Sequence, residues 1–529
     1  MMPLLRKGSE TMSKVITADA AVELIKDHAT VAFGGMGLGG WPECLARALA
    51  RRFYNTGHPV GLNLKQGASI GDWRDRGTTT IGIEGMVDTW TGAHVGSSAN
   101  MRQLVQDNKI KAYCLPQGVI VNLWREIAAK RPGLITKVGL GTFVDPRIEG
   151  GKFNSVTTED IVKVIQFEGE EWLFYKSFPV DVALLRATVC DEDGNMTIEH
   201  EGFIYEALQI AEATKNSGGI VIVQTEYLAR RGTLNAQKVE VPADMVDYIV
   251  IAEDKNDCWQ GENVYYEPSF SGETRIPLDE IPKLPLNDKK VIARRCAAEI
   301  RRGDLVNLGY GMPANVASIL AEHDASDIMT LTTEAGVFGG VPAVKANFGN
   351  TYNPDAMINH SEMFNYYDGG GLDVTFLGLA QADSHGNVNV IRFGNKIIGC
   401  GGFINISQNT PKCVFCGSFT NGAKTVVEDG RLKIIEEGKN VKFTKDVECI
   451  SFSGAYAGSV HQEVMFITER AVLKLINGKM TVTEIAPGVD LEKDVLGQMG
   501  FHPEIAEDLK LMDPGMFEEN WQGIEEWRK

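Results

Sequence analysis

Several features that would place a protein in a membrane or on nucleic acid are missing from this 529-residue sequence. It has no uncharged apolar run of about 18 residues, the length that a membrane-spanning helix requires. Its first residues, MMPLLRKGSETMSK, lack the apolar segment of a signal peptide, and Met12 would serve equally well as a start. Lys and Arg number 52 against 70 Asp and Glu, and this net charge of -18 disfavours binding to phosphate backbones. We therefore expect a cytoplasmic protein that binds neither membranes nor nucleic acids.

Residue patterns for metal or redox chemistry are also missing. The nine cysteines are an odd number scattered through a long chain, which favours reduced thiols. Cys413 and Cys416 form a CxxC in KCVFCGSF, a strand-like segment that would point them to opposite faces. His94, His360 and His385 lie beside small or polar residues typical of turns, and HExxH and Walker A motifs are absent from the sequence. No metal site is predicted.

The chain contains an internal repeat. VITADAAVELIKDHATVAFGGMGLGGWP, from Val15, resembles VIARRCAAEIRRGDLVNLGYGMP, from Val291. DVALLRATVCDEDGNMTIE, from Asp181, resembles DVTFLGLAQADSHGNVNVI, from Asp373, and each contains two strand patterns around a Gly-Asn turn. Because both pairs occur in the same order, the sequence predicts two similar domains, the first with an insertion of about 80 residues.

The predicted fold class is α/β, with two similar open α/β domains and the active site at their interface. Helical patterns such as PECLARALARRF and PANVASILAEH alternate with strand patterns in both halves. The prolines and charges of PLDEIPKLPLNDKK mark the boundary. We predict an N-terminal domain over residues 13–280, a linker over 281–290 and a C-terminal domain over 291–518.

Two glycine loops follow strand patterns at equivalent places in the repeat. GGMGLGG satisfies GxGxxG through Gly35, Gly37 and Gly40, but no acid follows at the distance that a dinucleotide site requires. The second copy, LGYGMP, has a proline where a third glycine would follow Gly309 and Gly311. A helix start after such a loop favours an anionic ligand, so we predict ligand contact for the second loop and packing for the first.

One carboxylate, Glu334, stands out in MTLTTEAGVFGG. The β-branched residues before it predict a strand, and the glycines after it predict a loop. Glu334 would then lie at the carboxyl end of a strand, the edge where ligands bind in open α/β sheets. The alternative is an acid on a solvated loop.

A set of longer motifs resembles the family I coenzyme A transferases. It comprises PQGV and VGLGTFVDPRIEGGKFN in the first half, and LTTEAGVFGGVPA, NYYDGGGLDV, GCGGFINISQNTPKCVFCG, ITERAVLKL and EIAPGVDLEKDVL in the second. The chain is most similar to the propionate or acetate CoA-transferases that carry both catalytic halves in one polypeptide. The resemblance runs from about Val15 to about Met516.

The resemblance implies covalent, ping-pong catalysis by Glu334. Its carboxylate would attack an acyl-CoA thioester to form a mixed anhydride, and CoA thiolate would then form a glutamyl-CoA thioester. The implied reaction transfers CoA from a short-chain acyl-CoA to a short-chain carboxylic acid such as acetate, propionate, lactate or butyrate. CoA is a substrate here and no cofactor is expected. The resemblance also implies a homo-oligomer, a tetramer or a dimer.

Further site residues follow from the matched motifs. Gln117 in PQGV and the backbone at Gly401 and Gly402 in GCGGFIN are expected to stabilise the oxyanion of the attacked thioester. Gly336 in LTTEAGVFGG is expected to contact CoA. Arg392 and Lys396 are not part of a matched motif, but as cations near the GCGGFIN loop they are expected to contact the adenine or phosphate groups of CoA. Trp41, in GGMGLGGWPE, either packs in the core or narrows the acyl or CoA pocket.

Other functions share some of these features. An acyl-CoA hydrolase would use the same Glu334 but would pass the acyl group to water, so it would need no acceptor acid. A non-enzymatic acyl-CoA sensor would still bind ligand after replacement of Glu334. An NAD-linked oxidoreductase would show a nicotinamide absorbance change, which the missing acid after Gly40 argues against.

Overall fold

The computed structural model describes residues 13–277, 283–343, 347 and 349–523. Met12, the last three residues of the predicted N-terminal domain and the first two of the predicted linker lie outside this part of the chain. Within it, every helix is too short or too polar to cross a membrane.

The first half alternates strands with helices. In chain order its elements are α1 (Ala18–Val22), β1 (Thr30–Phe33), α2 (Glu43–Thr56), β2 (Leu62–Gln66), β3 (Val87–Gly92), α3 (Ala99–Gln106), β4 (Lys111–Cys114), α4 (Gln117–Ala128), β5 (Gly133–Thr136), β6 (Val162–Phe167), β7 (Glu170–Lys176), β8 (Val182–Asp191), β9 (Met196–Thr197), α5 (Ala207–Asn216), β10 (Ile220–Ala229) and β11 (Tyr248–Ile251).

The second half has more and shorter strands. Its elements are α6 (Asp288–Ala297), β12 (Leu305–Leu308), α7 (Asn315–Glu322), β13 (Thr330–Thr333), β14 (Val337–Phe338), β15 (Val341–Pro342), β16 (Thr351–Tyr352), β17 (Ala356–Met357), α8 (His360–Asp368), β18 (Val374–Gly378), β19 (Gln381–Ala382), β20 (Val388–Asn389), β21 (Arg392–Phe393), β22 (Lys396–Ile397), α9 (Phe403–Asn409), β23 (Lys412–Cys416), β24 (Thr420–Asn421), β25 (Lys424–Glu428), β26 (Arg431–Glu436), β27 (Asn440–Val441), α10 (Gly454–Ser459), β28 (Glu463–Ile467), β29 (Ala471–Ile476), β30 (Lys479–Ile485) and β31 (Glu504–Leu511).

Both halves are built on a parallel sheet with the same strand order. The first sheet runs β11-β10-β8-β1-β2-β3-β4, and all of these neighbours are parallel. The second contains the parallel run β13-β12-β18-β23-β28, with antiparallel strands added at both sides. In the first half β1 lies between β2 and β8, and in the second half β12 lies between β13 and β18. The predicted α/β duplication is therefore present in the fold.

The extra segment of the first half forms a small sheet of its own. Strands β5, β7 and β6 pair antiparallel in that order, between helix α4 and strand β8. In the second half a short loop joins α8 directly to β18. The two parallel sheets can therefore keep the same strand order although the first half is longer.

Local patterning explains why these segments form these elements. Helix α2 buries Leu45 and Leu49, four residues apart on one face, and ends where Gly57 adopts a φ of +75°. The core strands β8 and β23 are mostly apolar and are buried on both faces, as expected for parallel strands covered by helices. Cys413 and Cys416 both lie in β23, which confirms the strand predicted there.

Candidate active site

The two halves share one cavity of about 750 Å³. Its walls come from the loops that follow β1 to β4 in the first half and β12, β13, β18 and β23 in the second. These loops lie at the carboxyl ends of parallel strands, next to the point where the strand order reverses in each sheet. The lining includes Met36, Ser69, His94, Gln117, Gly309, Tyr310, Glu334, Leu379, Gly402 and Ser418.

Glu334 is the first residue after strand β13 and lines this cavity. A tight turn fixes its position, because the Gly336 N–H donates to the carbonyl oxygen of Thr333 at 3.0 Å. Gly336 has a φ of +102°, and a Cβ there would lie 2.1 Å from the carbonyl oxygen of Ile358. Only glycine fits that turn without moving the backbone. Gly336 thus has a structural role and does not itself line the cavity.

Glu334 is partly buried in the cavity wall. Burial raises the pKa of its carboxyl above the ordinary value of 4.5, while a hydrogen bond from its own backbone and the charge of His360 act in the opposite direction. A poorly hydrated carboxylate is a stronger nucleophile than one in water. The strand predicted before Glu334 is confirmed, and the acid lies in a cavity wall.

Gln117 reaches the same cavity from the first half. It is the first residue of α4 and is 2 % exposed. Its backbone N–H donates to the carbonyl oxygen of Gly401 at 3.0 Å, and its side-chain Nε2 lies 2.8 Å from Nε2 of His360. Both contacts cross between the halves, so docking of the halves positions this amide.

A buried acid and a buried histidine lie behind Gln117. The Nδ1 atom of His360 is 2.8 Å from Oε2 of Glu206, and both side chains have no exposed surface. The turn-type environment expected for His360 is wrong, because it begins helix α8 after the N-cap Asn359, whose side chain accepts from the N–H of Ser361. The Asn359-to-Glu362 spacing was an available capping signal in the sequence.

The glycine pair differs from the expected pair of oxyanion donors. The Gly401 N–H donates to the carbonyl oxygen of Ala93 at 2.9 Å, which leaves it unavailable to a substrate. Gly402 precedes helix α9 and lines the cavity, and the hydrogen bonds of the described residues give its N–H no protein acceptor. A Cβ at Gly402 would lie 3.1 Å from the ring of Phe364. The geometry therefore favours Gly402 over Gly401 as donor.

Of the glycines and cations predicted to contact CoA, some line the cavity and others do not. Gly309 lines the cavity, whereas Gly311 adopts a φ of +87° beside it and is absent from the wall. Arg392 makes a two-pronged ion pair with Glu149, at 3.0 and 2.8 Å, and neither it nor Lys396 lines the cavity. The wall therefore does not support a CoA contact for either cation.

The first-half loop serves mainly packing, as expected. Trp41 is 1 % exposed, donates through Nε1 to Glu43 at 2.8 Å and lies against Phe33, with 5.0 Å between the ring centroids. It belongs to the core and does not narrow the cavity. A Cβ at Gly35 would lie 2.1 Å from the backbone oxygen of Gly39, but Gly37 does reach the cavity wall.

Sequence reasoning missed a polar cluster on the first-half wall. The Ser69 hydroxyl lies 2.8 Å from Nδ1 of His94 and 2.5 Å from the Ser97 hydroxyl. Burial lowers the pKa of His94 to about 4, so its ring is neutral near pH 7. A neutral ring and two hydroxyls can bind polar groups of a substrate without adding charge. The three residues come together only in the fold, and the one available signal was GASIG, residues 67–71, which places Ser69 in a GxSxG pattern directly after β2.

Two lysines missed in the sequence also line the cavity. Lys289 belongs to helix α6. Lys442 donates to the Leu379 carbonyl at 3.2 Å and to the Ser418 hydroxyl at 3.1 Å, and burial lowers its pKa. They lie on the second-half part of the wall beside the acids Asp288 and Glu469, and their positive charge offsets that negative charge for an anionic ligand.

The site thus combines a partly desolvated carboxylate, an open backbone N–H, a side-chain amide and two cations in a cleft between two α/β domains. This arrangement suits attack on a carbonyl carbon carried by an anionic ligand.

Comparison with known proteins identifies the class. The coenzyme A transferase family model matches residues 15–252 and 289–495. Caffeate CoA-transferase of Acetobacterium woodii is 58 % identical over 519 residues, which is 97 % of this chain and 99 % of that protein. Acetate CoA-transferase YdiF of Escherichia coli K12 is 41 % identical over 508 residues, 95 % of each chain. The protein therefore belongs to the coenzyme A transferase family and is a CoA-transferase.

A solved structure matches almost the whole chain. The acyl-CoA transferase YdiF of Escherichia coli O157:H7, in a thioester complex with CoA, superposes with a TM-score of 0.90 at 39 % identity and covers 97 % of each chain. The two-domain α/β architecture is thus shared along the full length.

Proposed function

We propose that the protein transfers CoA from a short-chain acyl-CoA to a short-chain carboxylic acid through a thioester on Glu334. The observation that carries this proposal is the position of Glu334, a partly buried acid at the carboxyl end of β13 in the shared cavity. The thioester complex of the YdiF protein supports a covalent route in a relative of the same fold.

In the first step a Glu334 oxygen attacks the thioester carbonyl carbon. Negative charge moves to the carbonyl oxygen, where the Gly402 N–H and the Gln117 amide can donate hydrogen bonds. The C–S bond then breaks, and CoA leaves as a thiolate. The product is an anhydride between the acyl group and Glu334.

In the second step the thiolate attacks the glutamyl carbonyl of that anhydride. The C–O bond breaks, the acyl group departs as a carboxylate, and Glu334 is left as a CoA thioester. One oxygen of Glu334 leaves with the departing acid. An incoming acid reverses both steps, so each turnover exchanges an oxygen and consumes no cofactor.

A second candidate substrate is an arylpropenoic acid. The relative with 58 % identity is named a caffeate CoA-transferase. In this chain Trp73 and Tyr310 line the cavity and are 54 % and 56 % exposed. Aromatic side chains at the wall of a cavity offer flat apolar surface to an aryl ring.

An acceptor panel tests the function and separates these substrates. Purified protein is given acetyl-, propionyl- or caffeoyl-CoA with each acid in turn, and new thioesters are measured by chromatography. We expect transfer that requires an acceptor and is lost in Glu334→Gln. Free CoA released without an acceptor would identify a hydrolase, and bound but unchanged acyl-CoA would identify a sensor.

We also infer a dimer or tetramer, and this inference rests on the family resemblance alone. Light scattering of the purified protein at micromolar concentration tests it. A mass of about twice or four times the chain's 57.9 kDa is expected, and a monomer would contradict it.

A further inference from the structure

The buried pair Glu206 and His360 lies next to the active-site amide without touching the cavity. Glu206 directly precedes helix α5 in the first half, and His360 begins helix α8 in the second. The contact therefore joins residues that are 154 positions apart in the chain. Neither residue lines the cavity, whereas Gln117, which contacts His360, does.

The Glu206 carboxylate is buried against the His360 ring. Glu206 has no exposed surface, its Oε1 has no hydrogen-bond partner among the described residues, and its one ion-pair partner there is His360. An unpaired carboxylate in the interior is strongly unfavourable. A protonated ring removes that cost, because the Nδ1–H donates to Oε2 and the pair becomes neutral.

The protonated ring then determines which end of the Gln117 amide faces it. The two side-chain nitrogens lie 2.8 Å apart, and neither an amide nitrogen nor an imidazolium Nε2–H can accept a hydrogen bond. The amide oxygen must therefore face His360. The oxygen and nitrogen of an amide exchange places by a half-turn, which brings the NH2 group to the side of Gly401.

We propose that Glu206 and His360 are positioning residues that hold the Gln117 amide with its NH2 group toward the reacting thioester. The Glu206 carboxylate holds the ring charged, the ring holds the amide oxygen, and the amide NH2 group is presented to the oxyanion. The same positive charge favours the ionised form of Glu334. This inference rests on the proposed covalent route for its kinetic consequence, but the hydrogen-bond pattern is independent of that route.

Neutron diffraction of the deuterium-exchanged wild-type protein tests the pattern directly. We expect deuterons on both ring nitrogens of His360 and the Gln117 nitrogen on the cavity side. A single deuteron on His360, or the Gln117 oxygen on the cavity side, would overturn the proposal whatever reaction the protein catalyses.

Kinetics test the consequence through a double-mutant cycle. We expect Gln117→Ala to slow formation of the glutamyl-CoA adduct by about 100-fold, the usual effect of losing one oxyanion donor, and His360→Leu to slow it by about 10- to 100-fold. At a pH well above the Glu334 midpoint of every variant, where the direct effect of His360 on Glu334 is absent, the double variant should be within about twofold of Gln117→Ala, because His360 then acts through Gln117. If the rate losses of the two single variants multiplied in the double variant, His360 would not act through Gln117 and the proposal would be refuted.

Glu43→Gln provides the matched control. It alters another buried acid, one that accepts from Trp41, the Gly77 N–H and Thr80. We expect a lower melting temperature and an unchanged adduct rate. If His360→Leu matched this control in both measurements, its role would be structural and the proposal would fail. A wild-type protein that forms no adduct would refute the covalent route alone, and the neutron result would still decide this inference.

Discussion

At the scale of single residues, the state of Glu334 depends on two opposing influences. Burial disfavours its charge, and the positive charge of His360 favours it. A nucleophilic carboxylate has to be ionised to attack, yet strong hydration would reduce its reactivity. Burial of Glu334 limits its hydration, and the charge of His360, which lies behind the cavity wall, favours its ionised form.

The pH dependence of turnover follows from that balance. We expect kcat/KM to fall as the pH drops, with a midpoint above 4.5, because protonation removes the nucleophile and burial raises the pKa of Glu334. His360→Leu should move the midpoint further upward, since it removes the neighbouring charge. Initial rates over a pH series measure both midpoints. A wild-type midpoint at or below 4.5, or a downward shift in the variant, would contradict the account.

The turn after Glu334 supplies a test of stability. Gly336→Ala places a Cβ 2.1 Å from the Ile358 carbonyl oxygen at a φ of +102°. We expect a loss of more than about 2 kcal/mol and a loss of activity, because the shifted turn carries Glu334. Gly370→Ala is the control: its φ is +85° but a Cβ there meets open space, so about 1 kcal/mol is expected. Thermal melts that show equal losses for the two variants would argue against this role of Gly336.

At the scale of elements, helix α8 links the core of the second half to the first half. It begins with His360 and ends with Asp368. The Asp368 carboxylate accepts from Nδ2 of Asn405 at 2.9 Å, and Oδ1 of Asn405 accepts from the Gly118 N–H at 3.1 Å. Both ends of the helix therefore contribute to the contact with α4.

The last residue of α8 makes stability depend on pH. Burial raises the pKa of Asp368 to about 7 from an ordinary 3.8. The folded protein therefore binds a proton that the unfolded chain has released, and this stabilisation is lost as the pH rises through 7. Between pH 6 and pH 8 we expect the free energy of unfolding to fall by about 1.4 kcal/mol more in wild type than in Asp368→Asn. Denaturant titrations at the two pH values measure this difference, and parallel changes would contradict it.

Elements with a clear local pattern were predictable from the sequence. Strand β13 has β-branched residues followed by glycines, and helices α2 and α7 bury leucines or isoleucines at helical spacing. The helical pattern after Val15 was less reliable, since α1 spans only Ala18–Val22. The spacing of apolar residues therefore predicted which helices and strands form, but not how long each one is.

At the scale of the whole molecule, the two halves supply different parts of one site. Glu334 follows β13, and the equivalent position after β2 is Gly67, so the first half has no carboxylate there. Gln117 and His360 begin equivalent helices, α4 and α8, and meet where the halves join. Contacts of this kind depend on how the halves pack. The sequence could therefore predict a shared cleft and Glu334, but not the role of His360.

Substitutions in the Arg392–Glu149 ion pair test whether Arg392 joins the two halves or binds CoA. Both side chains are 27 % exposed and lie in different halves. We expect Arg392→Ala and Glu149→Ala each to cost at most about 1 kcal/mol of stability and to leave the affinity for CoA unchanged. Calorimetric titration with CoA and thermal melts measure the two effects. Weaker CoA binding in Arg392→Ala alone would instead support the contact predicted from the sequence.

Trapping the covalent intermediate tests the central claim most directly. The protein is incubated with acetyl-, propionyl- or caffeoyl-CoA without an acceptor, treated with borohydride, and digested, and the peptide containing TLTTEAGVF is analysed by mass spectrometry. We predict that the Glu334 side chain is reduced to the alcohol in wild type and that the peptide of Glu334→Gln is unchanged. An unmodified wild-type peptide from an enzyme that still transfers CoA would contradict the glutamyl-CoA mechanism.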